Sequence, residues 1–167
     1  MTYASKLIVL RGNSASGKST VARMVREASP RKTALIEQDY LRRIVLKEKD
    51  LVDGNNIDLI FQTVNFALAR GYDVVLEGIL YFPHYGRMLK ALVDLSPDHH
   101  LFYFDVSFEE TLRRHATKPI AQEVTEASLR SWYQARDLTG FANETIIPET
   151  LSAEEAVELI VRQAGFR

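Results

Sequence analysis

The chain has 167 residues, of which 46% are hydrophobic and 26% are charged, and its formal net charge at pH 7 is −1. This is an ordinary composition for a soluble globular protein, and the length suffices for one domain with its own hydrophobic core. A net charge so near zero gives no electrostatic reason to expect nucleic acid as a partner. Cysteine is absent, which excludes disulfides, thiol nucleophiles and zinc–thiolate sites.

No targeting or membrane-spanning segment is recognisable in the sequence. Met1 to Lys6 is too short and too polar for a signal peptide, and no apolar run approaches the length that spans a membrane. We therefore expect a cytoplasmic protein of bacterial type, with no membrane partner. The oligomeric state is left open.

The most informative stretch starts with a short apolar run, Leu7 to Leu10, which predicts a strand that is buried on both faces. It leads into Gly12-Asn-Ser-Ala-Ser-Gly-Lys-Ser-Thr20, which contains the phosphate-binding pattern G-x-x-x-x-G-K-S. Apolar residues at helical spacing follow, namely Val21, Met24, Val25 and Ala28. The motif therefore lies between a strand and a helix, where binding of phosphate requires it.

Each part of this loop has a predicted role. Gly12 and Gly17 allow the backbone to turn with its N–H groups inward, and the helix N-terminus adds positive potential for phosphate. Lys18 is predicted to reach the β- and γ-phosphates, and the Ser19 hydroxyl to coordinate Mg²⁺. The predicted nucleotide-binding set in the loop is Gly12, Asn13, Ser14, Ala15, Ser16, Gly17, Lys18, Ser19 and Thr20. The alternative is a glycine-rich turn that binds no ligand.

The rest of the chain alternates predicted strands and helices. Strands are predicted at 33–36, 73–76, 101–104 and 145–147, and helices at 40–46, from 57 to near Gly71, and at 87–95, 107–115, 127–135 and after 152. Ser107 and Ser152 each precede a glutamate by three residues, which predicts capping boxes. The alternation implies a parallel sheet with helices on both faces, and ligands bind at the C-terminal strand ends of such sheets.

Two carboxylates are predicted at that edge. Asp39 follows the second strand, where a carboxylate can orient an acceptor hydroxyl and take its proton during phosphoryl transfer. The alternative is that Asp39 only caps the helix that starts at Tyr40. Glu77 ends the third strand beside Gly78, and could hold the water shell of Mg²⁺ or bind the acceptor hydroxyl. Its alternative is an exposed carboxylate at a strand end.

Three cations, Arg113, Arg114 and Lys118, lie at and just beyond the end of the fifth predicted helix. They could fold over the phosphates and neutralise charge that develops in transfer, with Arg114 as the catalytic candidate. The alternative is two surface ion pairs, Glu109 with Arg113 and Glu110 with Arg114, each worth roughly a few tenths of a kcal/mol. Which cation dominates is left open.

Weaker features bear on the phosphate acceptor. Tyr81-Phe-Pro-His-Tyr85 could line an acceptor pocket or could be core beneath a loop. Arg42 and Arg43 could bind an anionic acceptor or belong to a solvated helix face. His99-His100 lacks a carboxylate at a fitting helical spacing, so a polar loop is expected there rather than a metal site. Trp132-Tyr133 is expected to pack a lid helix against the body.

Together these residues resemble those of small P-loop kinases. The phosphate loop, Asp39, Glu77 and Arg113-Arg114 are similar to the group that holds chloramphenicol phosphotransferase, zeta-toxin kinases, the kinase part of polynucleotide kinase, and gluconate and shikimate kinases. Val74-Val-Leu-Glu-Gly-Ile79 resembles the third strand of uridine-kinase-type enzymes. The resemblance spans nearly the whole chain, and the phosphate loop is its most specific motif.

The resemblance implies a three-layer α/β fold, with a five-stranded parallel sheet in the order 2-3-1-4-5 and a helical lid over about 113–135, in a single domain covering 1–167. It implies ATP and Mg²⁺, a basic role for Asp39, and a loop from Pro148 to Leu151 that faces the adenine. The third strand ends in Glu77 rather than the aspartate of many such strands. We therefore expect Glu77 to act on the metal through water.

The sequence thus predicts an ATP-dependent phosphotransferase that acts on a hydroxyl of a small molecule. One alternative is a nucleoside or polynucleotide 5′-hydroxyl kinase, and another is a regulatory ATP-binding module, which would not need Asp39. A GTPase would need an Asn/Thr-Lys-x-Asp motif, which the sequence lacks, and Asp137-Leu-Thr-Gly140 comes too late to serve as its D-x-x-G motif. Residues 114–125 are expected to be mobile without ligand and to close over ATP.

Overall fold

The computed structural model describes residues 3–118 and 124–166. Within these ranges one sheet is formed by the strands β1 (Leu7–Gly12), β2 (Thr33–Glu37), β3 (Asp73–Gly78), β4 (His99–Asp105) and β5 (Glu144–Pro148). The spatial order is β2-β3-β1-β4-β5, and every neighbouring pair is parallel. The predicted strand order is therefore confirmed.

The described helices are α1 (Lys18–Ala28), a π-helix (Tyr40–Val45), α2 (Asn55–Ala69), α3 (Phe82–Leu95), α4 (Phe108–His115), α5 (Glu126–Trp132) and α6 (Ala153–Gln163). Leu7 and Val9 of β1 pack on the side of α2 and α3, whereas Ile8 and Leu10 pack on the side of α1 and α6. Alternate strand residues point to opposite faces, so Leu7 to Leu10, with helices on both sides, are all apolar. The predicted three-layer arrangement is confirmed. Within the described ranges, every helix falls short of the length and hydropathy that crossing a membrane would require.

The position of β1 determines where a ligand can bind. This strand lies between β3 and β4. The connection that leaves β1 leads to β2, on the β3 side, whereas the connection that leaves β3 leads to β4, on the other side of β1. Such a reversal opens a crevice beyond the C-terminal strand ends. Gly12 at the end of β1 and Gly78 at the end of β3 both border this crevice, beside the phosphate loop.

Arg11 is the one charged residue of β1, and its side chain is fully buried. Its guanidinium contacts Asp137 Oδ2 at 2.7 Å and Glu144 Oε1 at 3.1 Å, and donates to the carbonyl of Leu80 at 3.0 Å. A buried charge is tolerated only when it is paired and hydrogen-bonded. Arg11 therefore ties the 137–144 segment and the loop after β3 to the central strand. The sequence pattern indicated no role for Arg11, and Asp137 was considered only as part of a GTPase motif.

The polar loop predicted at His99-His100 is wrong, because both residues belong to β4 and pair with Leu7 and Ile8 of β1. Backbone pairing with the central strand outweighs the polarity of the side chains. His99 Nδ1 lies 2.6 Å from the carbonyl of Ser96. In the part of the chain that the structure describes, no group of three or more His, Asp or Glu side chains could hold a metal ion.

Two helices differ from their predicted form. α3 starts at Phe82 rather than near Arg87, with proline in its first turn, where the missing N–H costs nothing. The segment after Asp39 is a π-helix rather than an α-helix, with Leu46 N–H bonded to the carbonyl of Leu41 at 3.1 Å. π-helical turns are rare in proteins, and those that occur often lie at functional sites.

Of the two predicted capping boxes, one is complete in the structure and the other is half formed. At α6 the Ser152 hydroxyl accepts from Glu155 N–H at 3.1 Å, and the Glu155 carboxylate accepts from Ser152 N–H at 2.7 Å, so this box is confirmed. At α4 the Ser107 hydroxyl accepts from Glu110 N–H at 3.2 Å, but the Ser107 N–H donates to Glu149 instead. This second box is only half formed, because Glu149 accepts the Ser107 N–H while the carboxylate of Glu110 binds Arg113 and Arg114.

Candidate active site

The predicted phosphate loop joins β1 to α1, and two of its positions accommodate only glycine without strain. Gly17 has φ +96°, and a Cβ there would lie 3.3 Å from Nη1 of Arg114. A Cβ on Gly12 would lie only 2.9 Å from Cβ of Phe104. Other residues at these two positions would therefore meet backbone strain or steric conflict. These two constraints are compatible both with a phosphate loop and with the alternative of a glycine-rich turn that binds no ligand.

Lys18 and Glu77 form the buried charged centre of the site. Lys18 Nζ donates to the carbonyl of Asn13 at 2.9 Å, and only 7% of the residue is exposed. Burial lowers the pKa of Lys18, against the opposing charge of Glu77. Burial also raises the pKa of Glu77, against the opposing charge of Lys18. Glu77 is 3% exposed, so the alternative of an exposed strand-end carboxylate is wrong.

Ser19 and Glu77 together fit a magnesium ion. The Ser19 hydroxyl donates to Glu77 Oε1 at 3.2 Å, and Oε2 of Glu77 is buried with no hydrogen-bond partner in the described residues. A buried carboxylate oxygen normally has a partner. Mg²⁺ is usually held by one or two protein oxygens together with several waters and substrate phosphates. Ser19 and Glu77 could supply the protein oxygens of such a site.

Two cavities flank the phosphate loop. The nucleotide cavity, of about 500 Å³, is lined by loop residues from Ala15 to Gly17, by Thr20 and by Pro148 to Leu151. The acceptor cavity, of about 540 Å³, has Lys18, Ser19, Asp39 and Glu77 among its walls. Ala15 and Lys118 line both cavities, so the two meet beside the loop.

Asp39 lies in the wall of the acceptor cavity, directly before the π-helix. It makes no side-chain capping bond, so the alternative that it only caps this helix is wrong. Its carboxylate instead contacts Arg42 at 3.2 Å and Arg43 at 3.3 Å. Arg42 is anchored by a second bond of 2.9 Å to the carbonyl of Glu48, and both arginines line the cavity rather than a solvated helix face alone.

Arg114 spans the mouth of the nucleotide cavity. Its two terminal nitrogens donate to the carbonyl of Ser16 at 2.6 Å and to the carbonyl of Glu149 at 3.1 Å. Its Nε donates to Glu110 at 2.9 Å. The predicted pair with Glu110 is therefore present, yet the same side chain also connects the phosphate loop to the loop before α6.

Arg113 and Lys118 occupy different surroundings. Arg113 pairs with Glu110 rather than with the predicted Glu109, and 70% of its side chain is exposed. The i,i+3 position places Glu110 between both arginines, which hold the pKa of its carboxyl down to about 2. Burial lowers the pKa of Lys118, which lines both cavities although it follows α4 by three residues.

The predicted lid over 113–135 is described only in part, since 119–123 lie outside the described residues. α5 ends at Trp132 rather than at 135, and its C-terminal end is fastened to the phosphate loop. The side-chain amide of Asn13 donates to the Gln134 carbonyl at 2.7 Å and accepts from its N–H at 2.8 Å. Tyr133 packs on the body as predicted, through a bond to Val106, whereas Trp132 is half exposed and lines the acceptor cavity.

The sequence predicted the segment Tyr81 to Tyr85 as pocket lining or as core, and it gave no signal for several other residues of the acceptor cavity. Tyr85 is fully buried, whereas Tyr81 and His84 line the acceptor cavity, so the segment serves both as core and as cavity wall. The cavity walls also include Gln38, Asp50, His115, Trp132 and Gln134. These residues come from five separate parts of the chain. Only the fold brings them together, so no spacing rule could have found them.

Comparison with known proteins agrees with this geometry. A family model described as AAA domain matches residues 7–139. A sugar kinase from Janibacter sp. HTCC2649 is 16% identical with a TM-score of 0.72, and the match covers 97% of this chain and 95% of that one. APS kinase CysC of Mycobacterium tuberculosis, solved with AMPPNP and APS, is 18% identical with a TM-score of 0.72, covering 97% and 98%. The tunicamycin resistance protein of Deinococcus radiodurans is 20% identical with a TM-score of 0.71, covering 96% of each chain. No curated protein matches this chain.

Proposed function

This chain belongs to the AAA-domain family of P-loop kinases, and from that premise we propose that it transfers the γ-phosphate of ATP to a hydroxyl group of a small molecule. The observation that carries the proposal is the pair of cavities that meet at Ala15 and Lys118. One cavity lies between the phosphate loop and Pro148 to Leu151, where a nucleotide fits. The other contains Asp39, which a module that only binds ATP would not need.

The chain's own residues account for the chemistry of transfer. The backbone of the phosphate loop and Lys18 bind the β- and γ-phosphates and offset the negative charge that grows between them. Asp39 orients the acceptor hydroxyl and takes its proton as the new bond from oxygen to the γ-phosphorus forms. The bond from that phosphorus to the β,γ-bridging oxygen breaks, and ADP leaves. Arg114 and Lys118 lie where charge on the phosphates can be neutralised.

Ser19 and Glu77 would hold Mg²⁺, Ser19 directly and Glu77 through water. When bound, the ion would supply charge neutralisation across the phosphates. The partnerless, buried oxygen of Glu77 supports this role. Replacement of Glu77 by Gln would leave the fold intact and weaken the dependence of ATP binding on magnesium.

The acceptor is proposed to be a small molecule, because the second cavity is bounded on several sides by α5, by α3 and by the π-helix. The net charge of −1 offers no broad basic surface for a polynucleotide. A nucleoside remains compatible with the aromatic side chains Tyr81 and Trp132 in the cavity wall.

The test is an ATP-consumption screen over nucleosides, sugars and hydroxylated antibiotics, with the ATP terminally labelled. We expect one class to accelerate ADP release well above the rate without acceptor, and to acquire the label. Label that appears only in inorganic phosphate for every compound would contradict the proposal. Binding of ATP without turnover would favour the regulatory module instead.

A further inference from the structure

A second pair of side chains in the acceptor cavity, Asp50 and His84, lies outside the phosphate-handling set. Both line the cavity, and Nδ1 of His84 is 3.3 Å from Oδ1 of Asp50. We propose that this pair recognises the acceptor, with Nε2 of His84 accepting a hydrogen bond from a second hydroxyl or amino group of the molecule that is phosphorylated. This inference rests on the proposed function and specifies the substrate class of the same site.

Asp50 is held in place although it lies in a loop. Two residues before it, the Glu48 carboxylate accepts hydrogen bonds from the backbone and side chain of both Asn55 and Asn56, at 2.6 to 3.0 Å. The Tyr85 hydroxyl lies 3.0 Å from Asp50 Oδ1. Burial raises the pKa of Tyr85, so the hydroxyl keeps its proton, and Asp50 Oδ1 and Asn56 Oδ1 are the acceptors that it reaches, each at 3.0 Å. The loop therefore presents Asp50 in one position.

This position determines which nitrogen of His84 is available. A carboxylate only accepts hydrogen bonds, so in its neutral form the imidazole carries its proton on Nδ1, facing Asp50. Nε2 then presents a lone pair, and it has no hydrogen-bond partner within 3–118 and 124–166. The ring of Tyr81 meets the imidazole edge to face, with centroids 5.1 Å apart, which fixes the ring plane. The imidazole is thus oriented before any ligand binds.

The chemistry of this end of the cavity selects a class of acceptor. The Asp50 carboxylate and His84 Nε2 both accept hydrogen bonds, so a ligand must offer donors to them. The phosphorylated hydroxyl is engaged by Asp39, which is a separate residue of the same cavity. The acceptor therefore carries at least two donor groups, as a polyhydroxylated compound or an amino alcohol does. A simple alcohol with one hydroxyl would leave Nε2 of His84, whose side chain is 25% exposed, without a partner from the ligand, at a cost in affinity.

The experiment compares His84→Phe, which keeps an aromatic ring against Tyr81, with His84→Gln, which restores a side-chain oxygen. His100→Phe is the matched control, because His100 also pairs with an aspartate, at 2.8 Å from Asp98, but in β4 away from the cavity. Thermal unfolding verifies that each variant is folded. The substrates are sugars, amino sugars, nucleosides and single-hydroxyl alcohols, together with the deoxy and deamino analogues of the best acceptor.

We expect His84→Phe to raise the KM for the acceptor about tenfold, the value of one hydrogen bond, with the KM for ATP within about twofold of the wild type. His84→Gln would recover most of the loss, and His100→Phe would behave as wild type. One deoxy or deamino analogue would lose about tenfold in the wild type but nothing further in His84→Phe, and its identity would show which donor His84 binds.

An unchanged acceptor KM in His84→Phe, or a parallel rise in the KM for ATP, would overturn the inference while leaving the kinase proposal intact. A single-hydroxyl alcohol that is phosphorylated as well as the best acceptor would also overturn it. Absence of any phosphorylated acceptor in the wild type would instead overturn the proposed function, and the recognition pair with it.

Discussion

Asp39 is the residue on which the acceptor half of the mechanism depends. Its carboxylate is more than half exposed and contacts only Arg42 and Arg43 in the described structure. Because exposed ion pairs contribute little to stability, Asp39→Asn is expected to change the free energy of unfolding by less than about 1 kcal/mol. ATP binding would be retained, whereas transfer would slow by roughly 10² to 10⁴, since the general base is lost. Single-turnover transfer and urea denaturation measure the two quantities.

The control for this variant is Asp94→Asn, which also removes an exposed carboxylate from an ion pair, with Lys90, but on α3 away from the cavities. It is expected to transfer phosphate at the wild-type rate. If Asp39→Asn transferred equally well, Asp39 would have no catalytic role, and the acceptor cavity would need another base.

Arg114 and Arg113 are adjacent in sequence but differ in their contacts, so they provide a matched pair. Both line the nucleotide cavity, but Arg114 bonds to the carbonyls of Ser16 and Glu149, whereas among the described residues Arg113 pairs with Glu110 alone. We expect Arg114→Ala to lower kcat/KM for ATP by at least about tenfold, through lost contacts of a charged group, and Arg113→Ala to lower it much less. Steady-state kinetics with varied ATP decide this. Equal effects of the two substitutions would mean that the hydrogen bonds of Arg114 to the two loops do not affect kcat/KM for ATP.

At the scale of elements, the first turn of α2 is capped by a side chain from outside the helix. Glu48 accepts four hydrogen bonds from Asn55 and Asn56, and these lower the pKa of its carboxyl. A carboxyl whose pKa is lower in the folded than in the unfolded state stabilises the fold at pH values above its unfolded pKa of 4.5. This stabilisation is lost as the pH falls through the folded pKa. Glu48→Gln is therefore expected to be less stable than the wild type at pH 7, and this difference to shrink between about pH 5 and pH 3.

Urea unfolding of both proteins at several pH values measures this difference. The control is Glu154→Gln, which alters an exposed acid in the first turn of α6 that has no comparable set of hydrogen bonds in the described structure. Its stability difference from the wild type is expected to be small at every pH. A Glu48→Gln difference that stayed constant down to pH 3 would contradict the assigned pKa direction.

The elements also show which signals in a sequence are dependable. The strand and helix on either side of the phosphate loop, the apolar strands and the capping box at Ser152 follow from local chemistry, and the structure confirms them. β4 starts earlier than predicted because pairing with β1 decides its first residues. α3 also starts earlier, because Tyr85 gains burial in the core, and burial is not visible in local polarity. The half-formed box at Ser107 fails because Glu149, distant in sequence, competes for the backbone N–H.

At the scale of the whole molecule, the strand order was predictable because the resemblance to small P-loop kinases implies it, and the edge that binds ligand follows from it. The buried ion pairs of Arg11 with Asp137 and Glu144 were not predictable, since they join residues more than a hundred positions apart. Asp50 and His84 are 34 positions apart, and their pairing was not predictable either. Long-range pairs of this kind depend on tertiary packing, whereas the phosphate loop carries its chemistry within nine consecutive residues, Gly12 to Thr20.

The measurement that tests the kinase assignment most directly is transfer of terminally labelled phosphate by Lys18→Met, with Lys32→Met, an exposed lysine, as control. Lys18→Met removes the countercharge of the buried Glu77 carboxylate, so thermal unfolding first verifies that the variant is folded. The account predicts that the wild type and Lys32→Met label an acceptor from the screen, and that Lys18→Met does so at least about a hundredfold more slowly. Transfer by folded Lys18→Met at close to the wild-type rate would contradict it.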